Sequence, residues 1–442
     1  MENIKYSIIV PIHNSIMYLD ECFKSIEKQG DYPYEVLCID DYSVDGSVDL
    51  IEKYAKTNDR FKLIQDSNCS YGHKINVGIQ NARGLYICIL ESDDYYSDNF
   101  LKTIDKIISV YSPDIVDGDF CQFKEFANQK ISKRVYKYEY PIMYDKICFN
   151  NMNIRSLWSK TSAIWTGAYN KDFLISNNIQ LNESEGASYQ DTSFRFLTSA
   201  FASTRYTVDE ILYYYRVDNS GSSVKNNDKV FSIVGEYDYL YNQLSLRKTQ
   251  NDIWEHYFRW KATGYLWNVN RLNEDGVRTF IPEIEKFFEA NKSIFLKSIQ
   301  NGLGEFHELI NLLSNPDTFI KDTNNKRDYI QKEIKKLENI CLTLKDECFF
   351  IVRDEELQAM VYRGLPEPWK DNIKGFIVDG NKENKVDFCY FPEEAVGNKR
   401  CKYITLKSKS CLNDLLCKLG AEEEQLVYVD NCFELGADAI WW

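Results

Sequence analysis

Short apolar runs alternate with amphipathic segments through the first hundred residues of the chain. The runs are almost continuously hydrophobic, which is typical of strands covered on both faces. The predicted strands are Tyr6–Ile12, Tyr34–Ile39, Phe61–Gln65 and Leu85–Leu90, and the predicted helices are Leu19–Lys28, Val48–Lys56 and Lys74–Ala82. Strands and helices in this order predict a mostly parallel sheet flanked by helices.

The pattern changes twice further along the chain. A strand-like run at residues 113–120 is followed by a polar stretch, predicted to be irregular, that ends near Asn153. Apolar residues then recur at helical spacing in Val230–Leu244, Ile253–Asn268 and Ile281–Ile299, whereas residues 348–354, 373–380, 402–406 and 425–431 resemble strands. The predicted organisation is therefore an α/β domain at residues 1–225, a helical region at 226–340 and a small α/β domain at 341–442.

Composition narrows the classes of partner. The net charge of −14 and the lack of a long basic run argue against nucleic acid. The 13 cysteines show no C-x-x-C pair and no signal peptide precedes Tyr6, so we expect reduced thiols in a cytoplasmic protein. No stretch approaches the roughly 18 apolar residues needed to span a bilayer, which leaves at most peripheral association with the inner face of a membrane.

Acidic residues gather where two predicted strands end. Asp40 and Asp41 close one strand, and Glu91, Asp93 and Asp94 follow another. Ligands of parallel sheets bind beyond the carboxyl ends of the strands, so these acids are expected in one crevice. Clustered carboxylates repel one another unless a cation lies among them, and Mg²⁺ or Mn²⁺ with a phosphate suits oxygen ligands. Helix capping is the competing interpretation, but these acids precede the next helix.

Four ordered motifs resemble a known family. They are "SIIVPIHN" (7–14), "EVLCIDDYSVDGS" (35–47), "YGHKINVGIQNARGLYICILESDD" (71–94) and "GASYQDTSFRF" (186–196). Together they are similar to inverting family 2 glycosyltransferases with a GT-A fold, of the bacterial capsule and surface-polysaccharide type. The resemblance implies a nucleotide-sugar donor, expected to be a UDP-sugar, a saccharide or lipid-linked saccharide acceptor, and Mn²⁺ or Mg²⁺ as cofactor.

The resemblance also assigns roles on the donor side. Asp41 would accept a hydrogen bond from the uracil ring, and His13 would lie against that ring. Asp93 and Asp94 would share the ribose and the metal, while Glu91 stands where an Asp is commoner. The predicted nucleotide-sugar site comprises Pro11, His13, Asp41, Lys74, Asn76, Glu91, Ser92, Asp93, Trp165 and Arg216, and the predicted metal ligands are Asp93 and Asp94.

Two further residues have competing interpretations. Asp191 matches the family's general base, which deprotonates the acceptor hydroxyl, but an acid also suits the first turn of the helix that it opens. Arg216 could pair with the diphosphate through its forked guanidinium, or form an ion pair on the surface.

The start of the helix that carries Lys74 suits phosphate, because its N–H groups have no partners within the helix.

Alternatives to catalysis stay open. A catalytically silent nucleotide-sugar-binding homologue would keep the fold, and Glu91 and His13 are the departures that allow this. The last domain resembles degenerate Rossmann-like modules, so an interaction protein working through its C-terminal half, or a homo-oligomer formed through that domain and the terminal "AIWW", is the other class. A nucleotidyltransferase would need a glycine-rich basic loop, which "VPIHNSIMY" lacks.

Overall fold

The structure is a computed structural model of the chain. It describes residues 4–126, 129–135, 137, 144–149, 161–219, 229–249, 251–328, 348–352, 373–377, 389–390, 401–405, 416–422, 424 and 426–428.

The first elements follow the predicted alternation of strands and helices. They are β1 (Tyr6–Ile12), α1 (Ile16–Glu27), β2 (Tyr34–Asp40), α2 (Ser47–Thr57), β3 (Phe61–Gln65), α3 (Tyr71–Asn81) and β4 (Tyr86–Ile89). β1 pairs in parallel with β2 and β4, and β2 pairs in parallel with β3. Every residue of β1, β2 and β4 is buried, as expected for strands with helices on both faces.

The sheet continues with strands of mixed direction. The next elements are β5 (Tyr95–Tyr96), α4 (Phe100–Tyr111), β6 (Ile115–Phe126), β7 (Gln129–Val135), β8 (Lys146–Phe149), β9 (Gly167–Asn170), α5 (Lys171–Ser176), α6 (Gln190–Phe201) and β10 (Thr204–Arg216). The strand order is β3-β2-β1-β4-β9-β6-β10-β5, with β7 beside β6 and β8 beside β10. β9 runs antiparallel to both β4 and β6.

The prediction of an irregular stretch up to Asn153 is wrong for the described part of that stretch. β6 extends to Phe126, and β7 and β8 follow it. β7 has the sequence QKISKRV, in which charged and polar residues outnumber apolar ones. Such strands lack the apolar runs on which the prediction depended.

Helices follow the sheet in the described part of the chain, as predicted. They include α7 (Ser232–Leu246), α8 (Asn251–Arg271), α9 (Glu274–Ala290), α10 (Lys292–Gln300) and α11 (Gly304–Ser314), and residues 316–328 are also helical. Aromatic residues such as Tyr237, Tyr265 and Phe280 are buried in their core. Contacts divide the chain into two compact units, one of residues 1–120 with 135–321 and one of residues 121–134 with 322–442.

The second unit contains a parallel sheet. Its described strands are β11 (Cys348–Val352), β12 (Ile373–Ile377), β13 (Cys389–Tyr390), β14 (Cys401–Thr405) and β15 (Leu426–Tyr428), in the order β13-β12-β11-β14-β15. All four pairings are parallel. The terminal "AIWW" at residues 439–442 lies outside the described residues.

The predicted α/β class, with a mostly parallel sheet at its N-terminal side and a helical region after it, is confirmed. β1, β2 and β4 are neighbours that run in the same direction, so the segments after Ile12, Asp40 and Ile89 emerge at one edge of the sheet. No helix among the described residues is both long and apolar enough to cross a bilayer.

Candidate active site

Asp41, His13 and Lys74 are in direct contact at the carboxyl edge of the sheet. His13 Nδ1 lies 2.7 Å from Asp41 Oδ1, and Lys74 Nζ lies 2.9 Å from Asp41 Oδ2. The Lys74 ammonium also donates to the carbonyl of Ile12 at 3.0 Å. The Asp41 carboxylate is only 1% exposed, whereas the His13 side chain is 60% exposed. The His13 ring is therefore the part of this group that a ligand meets first.

The loops after β1 and β2 hold one another in place. Asn14 has a left-handed backbone with φ of 47°, a conformation that Asn tolerates better than most residues. Its N–H donates to Ser43 Oγ and its Oδ1 accepts from the N–H of Val44, both at 2.9 Å. These contacts fix the positions of His13 and Asp41 on adjacent loops.

Pro11 and Ser92 lie behind this surface. Pro11 is buried within β1, beside Ile39 of β2. The hydroxyl of Ser92 is 2.6 Å from that of Ser15 and the residue is buried. Both residues are thus packed within the fold, and their contact with a nucleotide sugar stays a prediction.

Glu91 lies among charges from three elements. Tyr71 Oη donates to Glu91 Oε1 at 2.6 Å. Burial raises the pKa of Glu91 to about 8; the Tyr71 hydrogen bond and Lys74 oppose the increase, whereas the negative charges of Asp93 and Asp191 add to it. The N–H of Tyr71 also donates to the carbonyl of Gly186 at 2.9 Å, so this residue contacts both Glu91 and the segment that precedes α6.

Asp93 and Asp94 have different environments. Asp94 is 1% exposed; its Oδ2 accepts from Tyr213 Oη and its Oδ1 from the N–H of Arg216, both at 2.7 Å. Asp93 is less buried, and its Oδ2 accepts from Asn219 Nδ2 at 2.7 Å. Burial raises the pKa of both carboxyls. Of the two predicted metal ligands, Asp94 ties β10 to the end of β4, and Asp93 is the more accessible.

Arg216 has a buried guanidinium that forms an ion pair. Its Nη2 lies 2.6 Å from Glu21 Oε2, its Nε donates to the carbonyl of Asp93 at 3.1 Å, and its guanidinium lies 4.6 Å from the ring centre of Tyr18. The ion pair considered as the competing interpretation is thus present, with an Arg216 side chain that is 4% exposed and a Glu21 side chain that is 37% exposed. Its contact with the backbone of Asp93 still places it beside the acidic segment.

Asn76 bonds the segment at residues 181–183. Its Nδ2 donates to the carbonyl of Leu181 at 3.0 Å and to Glu183 Oε1 at 2.9 Å, and its Oδ1 accepts from the N–H of Leu181 at 3.0 Å. The side chain is buried and fastens α3 to residues 181–183. These contacts engage both ends of its amide, and its role in nucleotide binding stays a prediction.

Asp191 is the second residue of α6, as predicted. Ser162 Oγ donates to Asp191 Oδ2 at 2.9 Å. Burial raises the pKa of Asp191, while hydrogen bonds from Ser162 and Thr192 act in the opposite direction. Tyr189, the residue directly before α6, has a left-handed backbone with φ of 66°. A carboxylate with a raised pKa is a stronger base than an ordinary exposed one.

Trp165 lies inside the site wall. Its ring stacks on Tyr213 with centroids 4.1 Å apart and is parallel to Tyr215 within 3° at 5.3 Å. Because Tyr213 bonds Asp94, Trp165 supports the acidic segment from behind. Tyr71, Ser162 and Tyr213 were not among the predicted site residues, since a hydroxyl group in a helix, loop or strand has no distinguishing pattern.

The chemistry of these side chains fits a divalent cation bound together with phosphate. Among the described residues, no group of three or more His, Cys, Asp or Glu side chains is arranged to hold a metal ion. Mg²⁺ usually takes one or two carboxylates and completes its shell with water and phosphate oxygens. Asp93, a carboxylate with a raised pKa beside Glu91, matches that requirement.

Comparisons with known proteins agree with the motifs. Residues 7–170 match the model of Glycosyl transferase family 2. The putative glycosyltransferase EpsH of Bacillus subtilis is 27% identical over 240 residues, which cover 52% of this chain and 66% of EpsH. The poly(ribitol-phosphate) beta-N-acetylglucosaminyltransferase TarS of Staphylococcus aureus is 26% identical over 226 residues, which cover 50% of this chain and 37% of TarS. The match thus spans just under two thirds of EpsH and just over a third of TarS.

A solved structure is also similar to this chain. It is that of S. aureus TarS 1–349 in complex with UDP-GlcNAc, with 19% identity, a TM-score of 0.47, and coverage of 72% of this chain and 89% of that one. The family match includes His13, Asp41 and the acids after β4, and it ends before Asp191. The resemblance read from the motifs is confirmed over residues 7–170, the part of the chain that matches the model of Glycosyl transferase family 2.

Proposed function

We propose that the chain is a metal-dependent, inverting glycosyltransferase that moves a sugar from a nucleotide sugar to an acceptor hydroxyl. The observation that carries this proposal is the position of Tyr71, whose Oη donates to Glu91 Oε1 at 2.6 Å and whose N–H donates to the carbonyl of Gly186 at 2.9 Å. One residue of α3 thus contacts both the acidic end of β4 and the segment that leads to the candidate base, Asp191. Transfer in a single step requires this combination, with the base on one side of the sugar and the leaving diphosphate on the other.

The proposed donor is a UDP-sugar. The exposed ring of His13 offers a surface for the base, and Asp41 lies 2.7 Å behind it as the hydrogen-bond acceptor for the uracil. Lys74 stabilises the charge of Asp41 from the opposite side at 2.9 Å. Because Lys74 also donates to Ile12, its proposed role is to hold the base-binding carboxylate in place.

Asp93 is the proposed ligand of Mn²⁺ or Mg²⁺, and Asp94 positions it. A bound divalent cation would supply charge stabilisation for the departing diphosphate. Asp94 links Tyr213 and the backbone of Arg216, so it keeps the segment that carries Asp93 against β10. The raised pKa of Asp93, caused chiefly by burial, supports this assignment, because a nearby cation would favour the ionised form.

Asp191 is the proposed general base. It takes the proton of the acceptor hydroxyl as the acceptor oxygen bonds to the anomeric carbon. The bond from that carbon to the diphosphate oxygen breaks in the same step, and the electron pair leaves with the nucleoside diphosphate. One displacement from the opposite face inverts the anomeric configuration. Ser162 orients the carboxylate through its hydrogen bond to Oδ2.

The proposed acceptor is a saccharide or a lipid-linked saccharide in the synthesis of a surface polysaccharide or glycoconjugate. The relative TarS is named for transfer of N-acetylglucosamine to poly(ribitol phosphate), which supports a polymeric acceptor. The four motifs support the same class, because they resemble enzymes of bacterial surface-polysaccharide synthesis.

Release of nucleoside diphosphate by the full chain tests the proposal. UDP-, GDP- and dTDP-sugars are compared with Mn²⁺ and with EDTA, for the wild type and for Asp93→Asn. We expect turnover of a UDP-sugar that depends on Mn²⁺ and falls about 100-fold or more in the variant. Asp98→Asn, an exposed acid of the same loop, is the matched control and should leave the rate unchanged.

Two results would contradict the proposal. The first is an equal rate in EDTA and in Mn²⁺. The second is binding of a UDP-sugar, seen as thermal stabilisation, without release of UDP from that donor, whether a saccharide acceptor or only water is present. The second result would instead favour the silent nucleotide-sugar-binding homologue.

A further inference from the structure

The helical region contributes a buried acid next to the candidate base. Glu236 of α7 is 1% exposed. Its Oε2 accepts from Asn182 Nδ2 at 2.9 Å, and its Oε1 accepts from the hydroxyl of Ser193. Ser193 lies one helical position beyond Thr192 in the first turn of α6, two residues after Asp191. One carboxylate therefore contacts a residue before Asp191, Asn182, and a residue after it, Ser193.

The segment between those two contacts is held at several further points. Gln190 Nε2 donates to the carbonyls of Ser184 and Gly186 at 3.2 and 3.0 Å. Tyr189 keeps its left-handed backbone, and its hydroxyl donates to Asn268 Oδ1 of α8 at 2.9 Å. A left-handed conformation costs an aromatic residue about 1–2 kcal/mol and persists where the surroundings determine it.

The other side of the segment is closed by α3. A Cβ placed on Gly72 would lie 1.9 Å from the carbonyl oxygen of Asn182, so the two backbones are in direct contact. Asn182 thus lies between Gly72 and Glu236. Movement of this residue toward α3 is blocked by the backbone, and movement away from α7 breaks the hydrogen bond to the carboxylate.

A buried carboxylate is costly unless its oxygens are bonded. Burial raises the pKa of Glu236 to about 7; Ser193 and Asn182 lower it through hydrogen bonds, and the charge of Asp191 raises it further. An acid at this place is therefore less favourable than an apolar residue would be for packing alone. Its two hydrogen bonds, to residues before and after the base, indicate what the acid does there.

We propose that Glu236 is a positioning residue for Asp191: it ties Asn182 to Ser193 and so fixes the direction in which the first turn of α6 presents the base. This inference rests on the proposed function of Asp191. It makes the helical region a part of the catalytic apparatus, although Glu236 itself touches no reacting atom.

Glu236→Gln is the principal test, with Asp238→Asn as the matched control. Asp238 is on the same helix and undergoes the same change from acid to amide, but its side chain is 66% exposed. In Glu236→Gln we expect kcat to fall roughly 10- to 100-fold with the KM for the donor within about threefold, because the base is displaced while the donor contacts remain. Amide hydrogen exchange of residues 183–191 should become about tenfold faster, and Asp238→Asn should match the wild type in both measurements.

Asn182→Ala removes one of the two hydrogen bonds and leaves the acid in place, so it serves if Glu236→Gln does not fold. It should give a smaller loss of kcat in the same direction, and the double variant should lose less than the sum of the two single losses. Unchanged exchange in residues 183–191, or unchanged kcat in either variant, would overturn the inference. Asp191→Asn is assayed in parallel: if it retains full activity, the proposed base is wrong, whereas an inactive Asp191→Asn beside an active Glu236→Gln refutes the positioning role alone.

Discussion

Replacement of Asp191 by Asn removes the proposed base with little change of shape. The hydroxyl of Ser162, which donates to Asp191 Oδ2 at 2.9 Å, can donate equally to an amide oxygen. The amide cannot accept the acceptor's proton. General base catalysis contributes about 10²- to 10⁴-fold, or roughly 3–5 kcal/mol of the barrier, so kcat should fall by that factor. The KM for the donor should change by less than about threefold, because the donor contacts proposed here belong to other residues.

The same substitution has a predicted effect on stability. The folded protein raises the pKa of Asp191, chiefly by burial, so the folded state holds this proton more tightly than the unfolded state. Because of such a group, the free energy of unfolding of the protein falls as the pH rises from the group's pKa in the unfolded state through its pKa in the folded state. Asp191→Asn should therefore be at least as stable as the wild type at pH 8, with no advantage below pH 3.8, the ordinary pKa of an aspartate.

Initial rates of UDP release and thermal unfolding at several pH values measure these two effects. Asp172→Asn is the matched control, since Asp172 is an exposed acid in the first turn of α5 and shares only the helix-terminal position. A loss of activity equal to that of the control, or a kcat within about threefold of the wild type, would refute the assignment of Asp191 as base. It would leave the helix-terminal interpretation of the acid standing.

Three further predictions concern the framework of the site. Glu91→Gln in EDTA should unfold at a higher temperature than the wild type above pH 8 and at the same temperature near pH 4. The fold raises the pKa of Glu91 from 4.5 to about 8, so the wild type loses stability between those pH values. A difference in unfolding temperature that does not depend on pH would contradict this prediction. Asp41→Asn leaves the buried Lys74 without its ionic partner and should cost about 3–5 kcal/mol in urea unfolding. Gly72→Ala forces two backbones apart and should lower the unfolding temperature, whereas Gly235→Ala, where a Cβ meets nothing within 4 Å, should leave it equal or higher by the equivalent of about 0.4–1 kcal/mol.

The sequence was sufficient for the elements that carry the donor side of the site. The predicted bounds of β1 and β3 matched the observed strands residue for residue, and β1, which is covered on both faces, is the one with a continuous apolar run. β7 was missed because its surface is largely polar. The edge at which His13, Asp41 and Glu91 meet followed directly from the parallel order of the strands.

Side-chain roles were less predictable, because they depend on contacts between distant parts of the chain. Asn76 is a suitable ligand for a nucleotide by type, but Leu181, more than 100 residues away, supplies its partners. Glu236 resembles any acid on an amphipathic helix, and its importance becomes visible only when Asn182 and Ser193 are placed beside it. Spacing along the chain contains no signal for either arrangement.

The charges of the site explain why a bound cation is needed for the proposed reaction. Glu91, Asp93 and Asp191 all have raised pKa values, so the surrounding protein does not fully compensate their negative charge. Lys74 is already paired with Asp41, and Arg216 is already paired with Glu21. A nucleoside diphosphate entering this crevice would add further negative charge. We expect a divalent cation that enters with it to offset this charge, so donor affinity and metal concentration should be coupled, each increasing the apparent affinity for the other by the same factor.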